Sequence, residues 1–292
     1  MKKSLAMMTA AVMVAGALAG CGSSSSTPAA TTATAAEAAT DAATTEAAGD
    51  TAAAAEGTVK TPSGKFTVGF DQEFPPMGFV GDDGEFTGFD LDLAKEVASR
   101  LGLEFVPQPI NWDAKDMELD SGNIDCIWNG FTMQGREDDY TWVGPYMANN
   151  QVFVVTADSD IASKADLAGK AVEVQKDSSG LAALQGEAEL SASFGSMTEV
   201  ADYNTALMDL ESGACDAVCM DSIVAGYQIK SSGKDMKILD DTLSAEEYGI
   251  GFKKGEDELA KAVYDTLMAM KDDGTVAKIS NDWFGSDVFT LK

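Results

Sequence analysis

The 292-residue chain contains no histidine. That absence removes the commonest general base at neutral pH, a frequent zinc ligand and the usual partner of a nucleophilic serine or cysteine. Hydrolase and metalloenzyme chemistry therefore lose most of their means. Basic residues are scarce too: 20 Lys and Arg stand against 48 Asp and Glu, a formal net charge of −28. Such a chain repels phosphate, which argues against nucleic acid, and has little electrostatic hold on an anionic membrane. Most of the acid reads as solvated surface. No glycine-rich phosphate loop of the P-loop type is present, so the sequence shows no nucleotide site of that kind. Cysteine is limited to positions 21, 126, 215 and 219, with no metal-ligand spacing. Read on one strand, Cys215 and Cys219 point the same way about 13 Å apart. That is too far for a disulfide, so buried free thiols are expected.

What is present begins with an address. Lys2 and Lys3 precede an apolar stretch over residues 5–18, shorter than the roughly 20 residues needed to span a bilayer. A basic start, a short apolar segment and small residues describe a secretory signal over residues 1–20. The run Leu18-Ala19-Gly20-Cys21 looks like a bacterial lipobox, whose cysteine receives the lipid (palmitate) and becomes the new N-terminus. The alternative is an ordinary signal peptide with an incidental cysteine. Residues 21–60 are nearly all Ala, Thr, Ser, Gly and scattered acids, too poor in large apolar groups to repay ordering. They read as a disordered tether. No later stretch is apolar enough to cross a bilayer, so the lipid at Cys21 would be the only anchor, placing the protein on the outer side of the cell membrane.

From Lys65 onward short apolar runs alternate with amphipathic helix patterns. Phe66, Val68 and Phe70 alternate as in a strand. Asp90 is placed to cap a helix with Leu91, Ala94, Val97, Ala98 and Leu101 on one face and Gly102 as its stop. Strands are further expected at 103–106, 124–128, 151–156, 171–175, 215–220, 236–239 and 249–253. Helices fit 113–121, 179–190, 198–212, 222–231 and a long segment ending near Gly274. This β-α-β order implies an α/β fold with mainly parallel sheets and helices on both faces. In such sheets ligands bind at the carboxyl ends of strands, so the residues just after each strand are the informative ones.

After the first strand, Asp71 and Phe74 open a loop stiffened by Pro75 and Pro76; the plain alternative is a connector with a core Phe. After residues 124–128 come Asn129, Gly130 and Thr132, then Arg136. Gly130 admits close approach to the backbone, Thr132 offers a hydroxyl, and the guanidinium fork of Arg136 suits a carboxylate. A lone Arg is otherwise a surface ion pair, and several acids follow this one. Ser178 and Ser179 open a helix whose free amides attract anions, or serve as a routine N-cap. Asp221 also precedes a helix; it either caps it or accepts hydrogen bonds from an ammonium. Together these loops complement an amino-acid zwitterion, with carboxylate to Arg136 and Ser179 and ammonium to Asp221. Burying either charge unpaired would cost several kcal/mol.

At these residues the sequence resembles the family 3 extracellular solute-binding proteins, the polar amino-acid receptors of ABC importers. Gly88-Phe89-Asp90-Leu91-Asp92-Leu93, with Val97, Ala98 and Leu101, matches the family signature. The stretch from Ile124 through Thr132 resembles its core strand and ligand loop. Asp166 through Lys170 and Gln175 through Gly180 look like its second-lobe entry, and Cys215 through Asp221 like its Asp-Ala-Val element. The likeness runs over residues 64–290. The run from Gly130 to Arg136 is one residue shorter than the commonest family pattern.

The resemblance implies a two-lobe periplasmic-binding-protein-like fold of type II with the ligand in the cleft between lobes. Lobe 1 would be residues 61–150 completed by 247–292, and lobe 2 residues 151–246. Phe74 and Trp112 would pack against the ligand, Gly130 and Thr132 would bind its α-groups, and Asp71 would face its side chain. The implied function is capture of a free polar amino acid by a monomer and, after hinge closure, its delivery to an ABC permease. No cofactor, metal or catalytic residue is expected. Two rival readings are a secreted dehydratase-like enzyme on the same fold and a ligand-sensing module. Which amino acid binds is left open.

Overall fold

The computed structural model describes residue 61 and residues 63–292. The signal, Cys21 and the tether lie outside the described residues. Strand β1 (Lys65–Phe70) sends Phe66, Val68 and Phe70 into the core, as their alternation predicts. Three short strands, β2 (Glu73–Phe74), β3 (Gly78–Val80) and β4 (Phe86–Thr87), form a small sheet of their own. Helix α1 (Phe89–Leu101) buries Leu91, Leu93, Ala94, Val97 and Ala98 and stops at Gly102, whose φ of 70° is left-handed. Each buried Leu or Val contributes about 1.5–3 kcal/mol against chain entropy.

The start of α1 differs from expectation. Its N-cap is Gly88, with φ 146°, and no side chain caps it. A Cβ at residue 88 would fall 2.2 Å from the Met77 carbonyl oxygen, so only glycine fits this entry. Asp90 lies two residues further on, within the first turn, and is fully buried instead of capping.

Strand β5 (Glu104–Pro109) and strand β6 (Cys126–Thr132) flank β1 in parallel, linked through the 3-10 turn Trp112–Ala114 and helix α2 (Lys115–Asp120). Strand β6 runs on to Thr132, so Gly130 and Thr132 belong to the strand and not to a loop after it. All seven of its residues are buried. Strand β7 (Tyr140–Thr156) is 17 residues long, and only its end was expected. Its first part carries Gly144, Pro145, Asn149 and Asn150, residues that read as turn formers until cross-strand pairing fixes them.

The chain continues through β8 (Ala171–Gln175), α3 (Ser179–Gly186), α4 (Ala188–Ser193), β9 (Ser196–Val200) and α5 (Tyr203–Ser212). Then follow β10 (Ala217–Asp221), α6 (Ser222–Ser232), β11 (Met236–Ile238), β12 (Ser244–Lys253), α7 (Asp257–Asp272) and α8 (Thr275–Phe284). The helix expected over 198–212 starts only at Tyr203. Residues 196–200 pair in parallel with β8 instead, and the Asp202 carboxylate accepts the Thr205 amide at 2.7 Å as the true cap.

The large sheet runs β5-β1-β6-β12-β7-β10-β8-β9, with β11 also on β7. Its flanks are parallel, as an α/β fold requires, and the middle is antiparallel: β12 pairs with β6 and β7, and β7 with β10. Cys126, Cys215 and Cys219 are free and buried. Cys215 lies before β10 and packs in the core around Tyr203 and Leu210, whereas Cys219 faces the cluster of Val172, Val174 and Leu184. The two thiols therefore do not share a face. Among the described residues no helix is long and apolar enough to cross a membrane.

Asp90 ties three elements together. Its Oδ2 accepts the Gly130 amide at 2.7 Å and the Tyr146 hydroxyl at 2.8 Å, joining α1 to β6 and β7. Burial pushes its pKa up to about 7, against the pull of those hydrogen bonds. An unfolded Asp titrates near about 4, so the native chain holds the extra proton between about pH 4 and 7. Stability then falls as pH rises through that window and levels above it. Asp71 and Asp221, raised to about 6 and about 8, act in the same direction. Urea unfolding should show lower stability at pH 8 than at pH 5. Asp90→Asn should flatten the slope by up to about 1.4 kcal/mol per pH unit; an unchanged slope would remove Asp90 from the account.

Candidate functional site

The ends of β6, β8 and β10 converge on a narrow cleft. Phe74, Trp112, Gly130, Thr132 and Arg136 line it from one side of the sheet, and Gln175, Ser178, Ser179 and Asp221 from the other. Eight of the ten ligand-binding candidates thus share one cleft. The other two, Asp71 and Asn129, are not among its lining residues.

Gly130 has φ +56°, and a Cβ there would meet the Phe74 ring at 2.9 Å and Tyr248 at 3.1 Å. Glycine therefore lets the Phe74 ring rest on the strand. Trp112 stands edge-on to Phe131, with ring centroids 5.6 Å apart, and Lys115 Nζ lies 5.2 Å from its ring. The Arg136 guanidinium stacks over Phe131 at 5.1 Å. It donates to the Thr132 carbonyl at 3.1 Å and, across the cleft, to the Asp177 carbonyl at 3.4 Å. Among the described residues it makes no ion pair. Its charge is held by carbonyls and left available to an anion.

The two serines divide their work. Ser178 accepts the Leu181 amide at 3.1 Å and is the N-cap of α3. The Ser179 hydroxyl is thereby spared capping. It receives bonds from Thr132 Oγ1 and Gln151 Nε2, each at 3.1 Å. Asp221 precedes α6 but makes no side-chain cap. Its carboxylate turns to the cleft side and accepts from Asn149 Nδ2 at 2.7 Å and Tyr248 OH at 2.6 Å. Burial, then the charge of Glu246, raise its pKa to about 8.

Asp71 is buried against Gln175, whose Nε2 donates to it at 2.6 Å, and it also accepts the Glu73 amide. Burial raises its pKa to about 6. It borders an adjoining recess with Trp112, Glu73, Asp113, Lys176 and Asp202. The Asn129 side chain accepts the Asp71 amide at 3.0 Å, positioning that residue without lining the cleft.

Sequence reasoning missed Glu246, Asn149, Gln151, Gln175 and Lys115. Asn149 Nδ2 reaches both Asp221 and Glu246 at 2.7 Å, and Gln151 Nε2 reaches Glu246 at 2.9 Å. A signal existed: Glu246 and Tyr248 are two apart on a strand, so they share a face, and an inward Tyr brings the acid inward. Lys115 is 2% exposed and ion-paired with Asp177, whose φ of 53° is left-handed. Among the described residues no group of three His, Cys, Asp or Glu could hold a metal. The cleft offers one free guanidinium and an acidic pole within a small volume, which complements a compact zwitterion.

The family model of bacterial extracellular solute-binding proteins, family 3, matches residues 66–286. The chain is 32% identical to the L-cystine-binding protein TcyJ of Escherichia coli K12 over 231 residues, 77% of this chain and 84% of that protein. Among solved structures it resembles a histidine-bound substrate-binding protein of an ABC uptake transporter from Streptococcus pneumoniae. That match has a TM-score of 0.76 and 34% identity, over 78% of this chain and 95% of the other. An ancestral arginine-binding protein bound to arginine gives a TM-score of 0.71 and 36% identity, over 76% and 99% of the two chains. The order of elements, the cleft at the strand ends and these likenesses agree, and the chain belongs to the bacterial extracellular solute-binding proteins of family 3.

Proposed function

We propose that this protein captures a free amino acid outside the cytoplasm and hands it to an ABC importer by hinge closure. The observation that carries this reading is the lining of one cleft by Arg136 and Asp221, a guanidinium and a carboxyl group from distant parts of the chain. A carboxylate at Arg136, Thr132 and Ser179 and an ammonium at Asp221 would neutralise both poles. A molecule lacking either group would leave a buried charge unpaired and be rejected by several kcal/mol. The relatives named for cystine, histidine and arginine bind zwitterions of this kind.

The acid-rich recess at Asp71 favours a polar or basic side chain, packed between Phe74 and Trp112. The lobes would be residues 61–150 with 247–292, and residues 151–246, joined through β7 and β12. Contacts between them fit a closing cleft: Lys115 with Asp177, Lys176 with Asp113 at 2.6 Å, Gln175 with Asp71, and Thr132 with Ser179. The exposed Lys176–Asp113 pair adds only about 0–1 kcal/mol, so the ligand supplies most of the bias toward closure. A lipid on Cys21 would hold the protein, as a monomer, within reach of its permease.

A thermal-shift screen of free amino acids tests the core of the reading. A ligand at 100 times its Kd should stabilise by about 2.7 kcal/mol, and no shift with any amino acid would refute it. Arg136→Ala and Asp221→Ala should each weaken binding at least tenfold, measured by calorimetry, with native circular dichroism. Unchanged affinity in both would reject this pocket. Cells fed a palmitate analogue should label the wild-type protein and not Cys21→Ser; label on both would place the anchor elsewhere. Consumption of bound amino acid with release of product would favour an enzyme instead.

A further inference from the structure

The cleft holds one carboxylate more than a single zwitterion needs. Glu246 on β12 lies within hydrogen-bonding reach of Asp221 on β10, and one amide group, Asn149 Nδ2, donates to both at 2.7 Å. The two residues are 5% and 3% exposed. Their other donors are neutral: Gln151 Nε2 at 2.9 Å and Ser179 Oγ at 3.5 Å to Glu246, and Tyr248 OH at 2.6 Å to Asp221. Among the described residues neither acid forms an ion pair. Lys115 is engaged by Asp177, and Arg136 by backbone carbonyls.

The remaining groups facing the pair do not carry charge near neutrality. From β7 come Asn149 and Gln151, from α3 Ser179, and from α6 Ser222, whose hydroxyl bonds Asn149 at 3.1 Å. From α5 comes Tyr203, from β10 Cys219 and from β12 Tyr248; burial pushes all three well above their usual pKa values. Glu247, the next residue on β12, is exposed and turned to Gln134. Two adjacent buried carboxylates served only by neutral donors cannot both be ionised without a large cost.

We propose that Asp221 and Glu246 form a single amine-binding unit in which Asp221 carries a proton while the cleft is empty and releases it when the ligand's ammonium arrives. Glu246 is a positioning residue in this scheme. It orients Asn149 and Gln151, and its charge keeps the proton on Asp221. The balance is simple: Asp221 goes from neutral to one negative charge, the arriving ammonium compensates it, and the proton leaves to solvent. Burial and the neighbouring carboxylate, which raise Asp221 to about 8, support a proton that is present at neutral pH and displaceable there. Affinity therefore rises with pH up to about 8, by as much as tenfold per unit, and then levels. The consequence for transport is a receptor that lets go more readily in acid.

This inference rests on the amino-acid-binding reading, and one experiment separates their fates. The twenty common amino acids and L-cystine are screened by thermal shift, and the strongest is titrated calorimetrically at pH 6, 7 and 8. Each titration uses buffers of different ionisation enthalpy, and the free ligand's own titration is subtracted. Wild type should release between half a proton and one proton per ligand at pH 7. Glu246→Gln keeps an acceptor for Asn149 and Gln151 but loses the charge. It should move the levelling point at least one pH unit toward acid and lower the proton count at pH 7. Binding without proton release in the wild type would overturn the proposal, whatever the variant does. So would a variant whose pH profile matches wild type, because Glu246 would then be structural only. A chain that binds no amino acid would instead overturn the reading beneath it.

Discussion

The pairing of β7 with β12 is the constraint on which the site depends. These antiparallel strands run through the middle of the large sheet, with parallel strands on either side of them. The ladder from Ser244–Gln151 to Lys253–Tyr140 contains one irregularity, between Tyr248 and Ile250, and the β12–β6 ladder shifts between Gly249 and Gly251. A local shift of this kind re-aims a strand. Glycine is needed there: a Cβ at Gly249 would fall 2.7 Å from Met133 Sδ and one at Gly251 2.8 Å from the Phe131 ring. Tyr248 and Glu246 on one side of the irregularity can then face Asp221, while Phe252 on the other packs into the core.

Around that frame the charges are placed unequally. The cation of Arg136 rests on carbonyl oxygens and an aromatic face, arrangements that hold a charge in place without neutralising it. Asp71, Asp90 and Asp221 all have raised pKa values, and burial is the first cause in each. Asp90 spends its acceptors on the fold, on the amide of Gly130 and the hydroxyl of Tyr146. Asp71 and Asp221 spend theirs beside the cleft. The same physical penalty thus fixes the backbone beneath the site in one case and leaves an unmet demand for a cation in another.

Much of this was legible in the sequence because it is local or periodic. The alternation Phe66, Val68, Phe70 and the spacing Leu91, Ala94, Val97, Ala98 gave β1 and α1 directly, and Gly102 gave the stop. The arrangement of strands and helices as α/β followed from their alternation. Seven residues chosen because they follow or end strands do line one cleft, since strand ends in such sheets point to a common crevice; Trp112, taken from the family resemblance, lines it too. Asp90 was misread as a cap because a helix start was inferred from residue type, while Gly88 had already taken the position by backbone geometry. The helix begun too early at 198 failed for a similar reason: pairing with β8 outweighed local propensity.

The amino-acid sequence alone determined the class of fold, the core faces of its regular elements and the chemical types gathered near the site, because these depend on neighbours along the chain. Tertiary structure decided the length of β7, the capping by Ser178 that spares Ser179, and the approach of Glu246 to Asp221. Those depend on contacts between residues far apart in the chain, where register and burial, not residue type, set whether a carboxylate meets water, an amide or a second carboxylate.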